Sequence, residues 1–432
     1  MSYKNKMQQT VPAMPASADA TIHIINKPLE SKNEFRIGYL LMLSVTIGAA
    51  LGISGFPVHA LPFFIGPLTE TFGWTRTAVA GGSACVTAAI FFCGPIIGRL
   101  ADKYGARRVI IPSICMFTFA MLLMTQIGSS VWMFYACYLL IGVSGSGTTY
   151  VCYSRVLNTW FDKHRGLALG IMTAGPGLVV SIGPMFIPDL IVEHGWRAAW
   201  AVLGGLTFIP LLLVLPFVRE KQDTVKHKGG STEKQSALKG LTFAEARRTR
   251  QFWLLIIASF TLAAATVGVY LHFISLLGDM GMTKLEGARY VSVIGIAIII
   301  SRFGSGFLLD RIFAPFVGAV ICTVPALGFL AFSMHGVDVA LLVAISIGMA
   351  IGAEVDFLAF ASSRYFGMKS YSQIYGWMFG LMALAGAVGP IWFGKVHELT
   401  GGAPTGLAIA SALCLCAGAC ILSLGRYPRS FE

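Results

Sequence analysis

Twelve mostly apolar stretches, each roughly twenty residues or a little longer, run through the chain, and charge collects in the gaps between them. At about 1.5 Å rise per residue, such a stretch matches the roughly 30 Å hydrocarbon core of a bilayer. Backbone N–H and C=O groups in that core must be satisfied within their own segment, so the pattern predicts helices. The expected spans are 37–62, 77–101, 109–128, 131–155, 166–189, 196–218, 251–277, 286–309, 315–334, 337–362, 373–395 and 403–425. The fold class is an all-α membrane protein with twelve transmembrane helices. Residues 1–36 read as a disordered tail and 426–432 as a second, short tail.

Composition supports this and narrows it. Charged residues make up 12% of the 432 positions, against about 25% in soluble proteins, which excludes an ordinary soluble enzyme. The net charge of +12 does not form a nucleic-acid patch. Lys27, Lys32 and Arg36 are followed on the same side by Arg99, Lys103, Arg107 and Arg108, then Arg155, Lys163 and Arg165, then Arg311, Arg364 and Lys369. Opposite loops carry scattered cations such as Arg76, Arg197, Lys284 and Lys395. The positive-inside rule therefore puts both termini in the cytoplasm. Residues 1–36 lack an apolar signal-peptide core, so the first span is expected to direct insertion into the plasma membrane, the inner membrane of a bacterium. The nine cysteines lie in apolar spans without metal or redox spacing. No cofactor and no metal is expected, and the chain reads as a monomer in the lipid bilayer.

Residues 219–250 form one long polar interruption, flexible at first. It ends in Thr242-Phe243-Ala244-Glu245-Ala246-Arg247-Arg248, which reads as a short amphipathic surface helix. This loop separates two six-helix bundles, 37–218 and 251–425, and the halves echo each other. Asp102 ends the second span and Asp310 the eighth, 208 positions apart. Gly170 to Gly183-Pro184 has the same length as Gly376 to Gly389-Pro390. Repeated halves suggest a transporter that rocks one half against the other around a midplane site.

Gly94-Pro-Ile-Ile-Gly98-Arg-Leu-Ala-Asp102-Lys103-Tyr-Gly105-Ala-Arg107-Arg108 is the most specific string. Gly94 and Gly98 permit close helix packing, and a neighbouring Arg or a helix N-terminus can hold Asp102. The string resembles the loop 2–3 signature of the major facilitator superfamily, and Asp310-Arg311 resembles its weaker copy. The resemblance implies two pseudo-symmetric six-helix bundles. It also implies a cytoplasmic latch formed by Gly98, Asp102, Lys103, Arg107, Arg108, Asp310 and Arg311, which steadies the outward-facing state. Trp160-Phe161-Asp162-Lys163-His164-Arg165-Gly166 through Gly175 resembles the loop 4–5 signature of monocarboxylate porters and bacterial oxalate/formate-type relatives. Phe72-Gly73-Trp74-Thr75-Arg76 and the stretch from Glu245 to Trp253 are similar to those bacterial relatives. One departure stands out. The acidic, Gly- and Trp-rich string of the animal porters is replaced in span 1 by Gly52-Ile-Ser-Gly55-Phe-Pro57.

Ionisable residues inside the spans are the candidate chemistry. Arg302 lies eight residues before Asp310, about 12 Å above the end of its helix, where a charge costs about 2.5–3.5 kcal/mol on insertion scales. A planar guanidinium grips a carboxylate through two parallel N–H···O bonds. Arg302-Phe-Gly-Ser-Gly306 also resembles span 8 of the monocarboxylate porters, whose arginine meets the substrate carboxylate. The alternative is a structural ion pair. Glu354 and Asp356 in span 10 reach a similar depth on roughly opposite helix faces. Desolvation and a neighbouring guanidinium act on such a carboxyl in opposite senses, an arrangement that poises an acid to exchange a proton. Either acid is a proton-coupling candidate or a plain counter-ion. His59 and His272 are candidates for proton relay or for satisfied interface histidines. Tyr150 and Tyr153 are candidates for substrate hydrogen bonds or for an aromatic belt. Tyr375 and Trp377 can pack a substrate's apolar body or a neighbouring helix.

The function expected is secondary transport of a small organic anion, a monocarboxylate, by alternating access with proton symport. The alternative is proton-coupled efflux of drugs or metabolites, since Gly175-Pro176 resembles the antiporter motif without its following paired glycines. Neither a P-loop nor a catalytic dyad is present, so no enzyme is expected.

Overall fold

Proline and glycine decide where the spans break. A computed structural model describes residues 34–220 and 238–428. Of the expected tails 1–36 and 426–432, residues 1–33 and 429–432 lie outside the described residues, as does the basic linker over 221–237, while 34–36 already belong to the first helix. All contacts below belong to the compact unit Leu40–Glu432.

Span 1 comprises helices Glu34–Ala50 and Pro57–Phe72, separated by a non-helical stretch at 51–56. The expected helix over 37–62 is therefore interrupted in its middle and runs on to residue 72, because Pro57 starts the second helix and cannot continue the first. Span 2 is Arg76–Tyr104 and span 3 is Ala106–Leu123. Span 4 comprises Val131–Gly145, a 3-10 turn at Ser146–Thr148, and Tyr150–Trp160. Spans 5 and 6 run through Arg165–Leu206, turning at Gly195 with φ 82°, and span 6 ends in Ile209–Phe217. Spans 7 to 12 are Arg250–Asp279, Lys284–Leu309, Ala314–His335, Ala340–Phe366, Tyr371–Thr400 and Ala403–Leu422.

The breaks in spans 1 and 4 face each other. The Ile53 backbone N–H donates to the Thr148 hydroxyl at 3.1 Å, so groups freed by the interruption are satisfied within the protein, as a bilayer requires. A side chain at Gly52 would strike Thr148. Elsewhere the first bundle is closed by an aromatic core of Phe64, Phe134, Tyr138 and Trp200. Spans 2 and 11 pack together, as do spans 5 and 8, and these two pairs join the halves.

The short surface helix forms over Phe243–Ala246, where Thr242 and Glu245 make a reciprocal capping box. The stretch before it pairs with the loop after span 10. Leu241 N–H donates to the Phe366 carbonyl, and Met368 N–H to that of Lys239, each at 2.8 Å.

Candidate functional site

Two aspartates at the central-loop end join the halves in the same way. Asp102, at the end of span 2, accepts from the backbone N–H groups of Ser372 at 3.0 Å and Gln373 at 2.8 Å. These belong to the first turn of span 11. Asp310, at the end of span 8, accepts from Gly166 N–H at 2.6 Å and Leu167 N–H at 3.0 Å, in the first turn of span 5. Each carboxylate thus caps a helix N-terminus of the opposite half, where free N–H groups and the helix dipole favour negative charge. Arg155 ion-pairs with Asp102 and also approaches the Met368 carbonyl. Arg165 donates across the halves to Ser363 at 3.1 Å, and Tyr371 donates to Ser154 at 2.9 Å. The glycines allow this approach. A Cβ at Gly98 would overlap the Ser372 carbonyl, and one at Gly306 would overlap that of Gly166.

Shifting Gly94 by the same 208 positions lands on Arg302. Gly94 meets the backbone of Gly376, and the backbone of Arg302 meets Gly170. The second half therefore places a long cation where the first places a small contact residue. Arg302 is 8% exposed, and its guanidinium lies within electrostatic reach of Asp356, Tyr150, Tyr375 and His59. Its Nε and Nη1 have no hydrogen-bond partner in the protein, and neither do Asp356 Oδ2 and the Tyr375 hydroxyl. Asp356 Oδ1 is held instead by the Thr173 hydroxyl of span 5, at 2.7 Å. Tyr150 sits beside Ser54 in the break of span 1. Arg302 is thus flanked by an acid without being clasped by it. The Tyr150 hydroxyl of the first half hydrogen-bonds the guanidinium, and Tyr375 of the second half lies within its electrostatic reach.

We read the space beyond this cluster, toward the far end, as a cleft between the halves, because the cross-half hydrogen bonds described above sit at its level or toward the central-loop end. Span 5 is buried almost all round from Arg165 to Pro176, and exposed over more than half its circumference from Gly177 on. Span 10 is buried all round from Gly352 to Ser363, yet exposes several residues before Met349. The cross-half bonds described above lie at or below the level of Asp356. His59 is exposed and lies within electrostatic reach of Arg302.

Residues 42–390 match the Major Facilitator Superfamily. The chain belongs to that superfamily. Its members are transporters, not enzymes. Human monocarboxylate transporter 10 is 23% identical over 407 residues, covering 88% of this chain and 77% of the relative. The fujikurins efflux protein of Gibberella fujikuroi is 27% identical over 277 residues, covering 62% of this chain and 56% of that protein. Among solved structures, the E. coli fucose:proton symporter FucP in the outward conformation superimposes with a TM-score of 0.69 at 16% identity, covering 91% of this chain and all of that one. The human organic anion transporter MFSD10 gives 0.67 at 17% identity, with coverages of 90% and 99%. At these identities the two structures establish the fold: twelve helices in two six-helix bundles.

In this facilitator several residues singled out from the sequence take other places. Glu354 faces away from Arg302, into a small apolar pocket of the second bundle lined by Leu255, Ser259, Gly318 and Ile421. His272 Nδ1 lies 3.0 Å from the Gly268 carbonyl of its own helix, and its ring packs on Phe393. Tyr153 is fully buried against Gly48 of span 1. Trp377 lies outside the cleft, because its indole stacks on Phe243 of the surface helix, with rings 10° from parallel. Trp377→Leu is therefore expected to leave substrate KM within about twofold while weakening attachment of that helix, which limited proteolysis in the central loop would detect. The basic residues expected in the latch are displaced as well. Lys103 rests on Tyr104, Arg107 donates to the Leu215 carbonyl, Arg108 is exposed, and Arg311 lies on Phe307. These three contacts stay within one half, and the cation that pairs with Asp102 is Arg155. Thr173 and Ser54 carry no charge and were not legible as site residues. Arg155 was visible only as one more loop-side cation.

Proposed function

We propose that this facilitator carries a small organic anion, a monocarboxylate, by alternating access in symport with a proton. The observation that carries the reading is the Arg302 guanidinium, buried between the halves with two N–H-bearing nitrogens unpaired. A fork of donors matches a carboxylate in geometry and charge. Tyr150 and Tyr375 supply hydroxyls beside it, and His59 lines the approach. The central-loop end is taken as cytoplasmic from its excess of Lys and Arg, in a plasma membrane. The cleft then faces outward, and the Asp102 and Asp310 caps hold the inner side shut.

Asp356 is the proton site in this scheme. Its carboxylate shares the floor with Arg302, Tyr150 and Tyr375, and Thr173 tethers it to the opposite half. A substrate carboxylate arriving at Arg302 competes for that cation, and the displaced Asp356 takes up a proton. The floor then carries no net excess of buried charge, which allows the halves to part on the inner side. One proton and one monocarboxylate together carry no net charge, so the drive is the pH gradient, about 1.4 kcal/mol per unit.

Uptake of labelled monocarboxylates into liposomes tests the reading, with and without an imposed pH gradient. Asp356→Asn is expected to retain exchange of internal for external substrate and to lose gradient-driven accumulation. Accumulation at the unsubstituted level in Asp356→Asn would remove the proton site from this position. A second reading, export by proton antiport, is favoured by the likeness to the fujikurins efflux protein. Substrate moving against an inward proton gradient in oriented vesicles would select it.

A further inference from the structure

Behind Arg302, on the side of span 8 facing away from the cleft, spans 8, 9 and 10 enclose an apolar groove of about 1240 Å³, counting its open side. Its walls include Ile300, Gly304, Val320, Ile345 and Met349. We infer that this groove binds an anionic phospholipid, with an acyl chain between spans 8 and 9 and the phosphate on Arg311.

Three observations carry this. The groove is built from small residues that break the internal symmetry. Ser301, Gly304 and Ser305 line it, where the 208-residue offset gives Cys93, Ile96 and Ile97 in the first half. A Cβ at Gly304 would meet nothing within 4 Å, so the glycine leaves space that no neighbouring helix fills. The groove is also apolar in effect. The Ser301 hydroxyl donates to the Met349 carbonyl at 2.7 Å and the Ser305 hydroxyl to the Arg302 carbonyl at 3.4 Å, so both serines are satisfied internally. A hydrocarbon chain fits such walls without leaving a polar group unpaired. Finally, the mouth at the central-loop end is charged. Arg311 lies in the turn just past the end of span 8 at Leu309, between the lining residues Leu308 and Ile312, and the Ile312 N–H bond to the Leu308 carbonyl at 2.8 Å holds that turn against the end of the groove. Arg311 is exposed, rests on the Phe307 ring at 3.8 Å, and has no carboxylate partner among the described residues. A basic side chain above an intramembrane cleft is the chemistry that recognises a phosphate headgroup.

The position has a consequence for transport. Span 8 carries Arg302 on one face and the groove on the other, so a bound acyl chain wedges the helix that must move as the halves rock. Native mass spectrometry of the full chain tests the site, with phosphatidylglycerol or phosphatidylcholine added at equal concentration. The expected result is retention of one phosphatidylglycerol in preference to phosphatidylcholine. Arg311→Gln should reduce that retention about fivefold, the factor one Lys or Arg contributes at an anionic surface. Gly304→Leu, whose Cβ meets open space, should reduce retention of both lipids by filling the groove, with elution as a single species confirming that it folds. Equal retention of the two lipids, retention unaffected by either variant, or a second copy of the chain in place of lipid would each overturn the inference.

Discussion

Arg302→Gln is expected to reduce carboxylate uptake in proteoliposomes at least about 30-fold, with insertion and folding retained. Glutamine keeps much of the side chain's volume and loses the charge and the paired donors. Removing one partner of a buried, hydrogen-bonded charge pair costs about 2–5 kcal/mol, and the lower figure already corresponds to roughly 30-fold. The loss falls on function rather than folding because Arg302 Nε and Nη1 have no protein acceptor to lose. Arg302→Lys is expected to recover only part of the rate, since an ammonium offers no planar fork. Uptake near the unsubstituted rate in both variants would contradict the anchoring role. Circular dichroism and elution as a single species distinguish loss of function from loss of fold.

Gly98→Ala is expected to shift the protein out of the conformation described here. The added Cβ meets the carbonyl oxygen and carbon of Ser372 and the Cα of Gln373. These are backbone atoms, so no flexible side chain can swing aside. Overpacking of this kind costs about 1–3 kcal/mol, which moves a two-state equilibrium roughly 5- to 150-fold. The cost vanishes once spans 2 and 11 separate, so the state opened at the central-loop end gains population. Spin labels at Arg108→Cys and Lys369→Cys, in a background lacking the native cysteines, report the separation directly. A longer distance should dominate in Gly98→Ala, and Gly306→Ala should act in the same direction at the symmetric contact. An unchanged distance distribution in both would show that the glycines do not set this equilibrium.

The architecture was legible because its signals are long and repeated. Apolar length and the basic loops point to twelve spans, and the 208-residue echo of Asp102 in Asp310 points to paired halves. The details that escaped depend on rotation and on neighbours. Glu354 and Asp356 were known to face apart, but periodicity alone cannot say which one meets Arg302. The structure resolves this through Thr173, whose hydroxyl holds Asp356 across the halves. Trp377 belongs to a span that also carries Tyr375, yet two positions of helix turn it onto Phe243. Lys103, Arg107, Arg108 and Arg311 sit in the signature strings, but the contacts that join the halves are carboxylates on helix N-termini with Arg155 beside one of them. That arrangement needs four helix ends brought together, and no local string encodes it. The interruption of span 1 was present in Gly52-Ile-Ser-Gly55-Phe-Pro57, although continuous hydrophobicity concealed it.

Competition by uncharged analogues tests the central claim most directly. Unsubstituted protein in liposomes takes up a labelled monocarboxylate while matched pairs compete, each pair a carboxylate and its primary amide of the same size. A site built around a cation without a bonded acid partner predicts inhibition by the carboxylates and at least about 30-fold weaker inhibition by their amides. Equal inhibition by acid and amide would contradict the account, because the shape of the cleft, and not the guanidinium at its floor, would then be selecting the substrate.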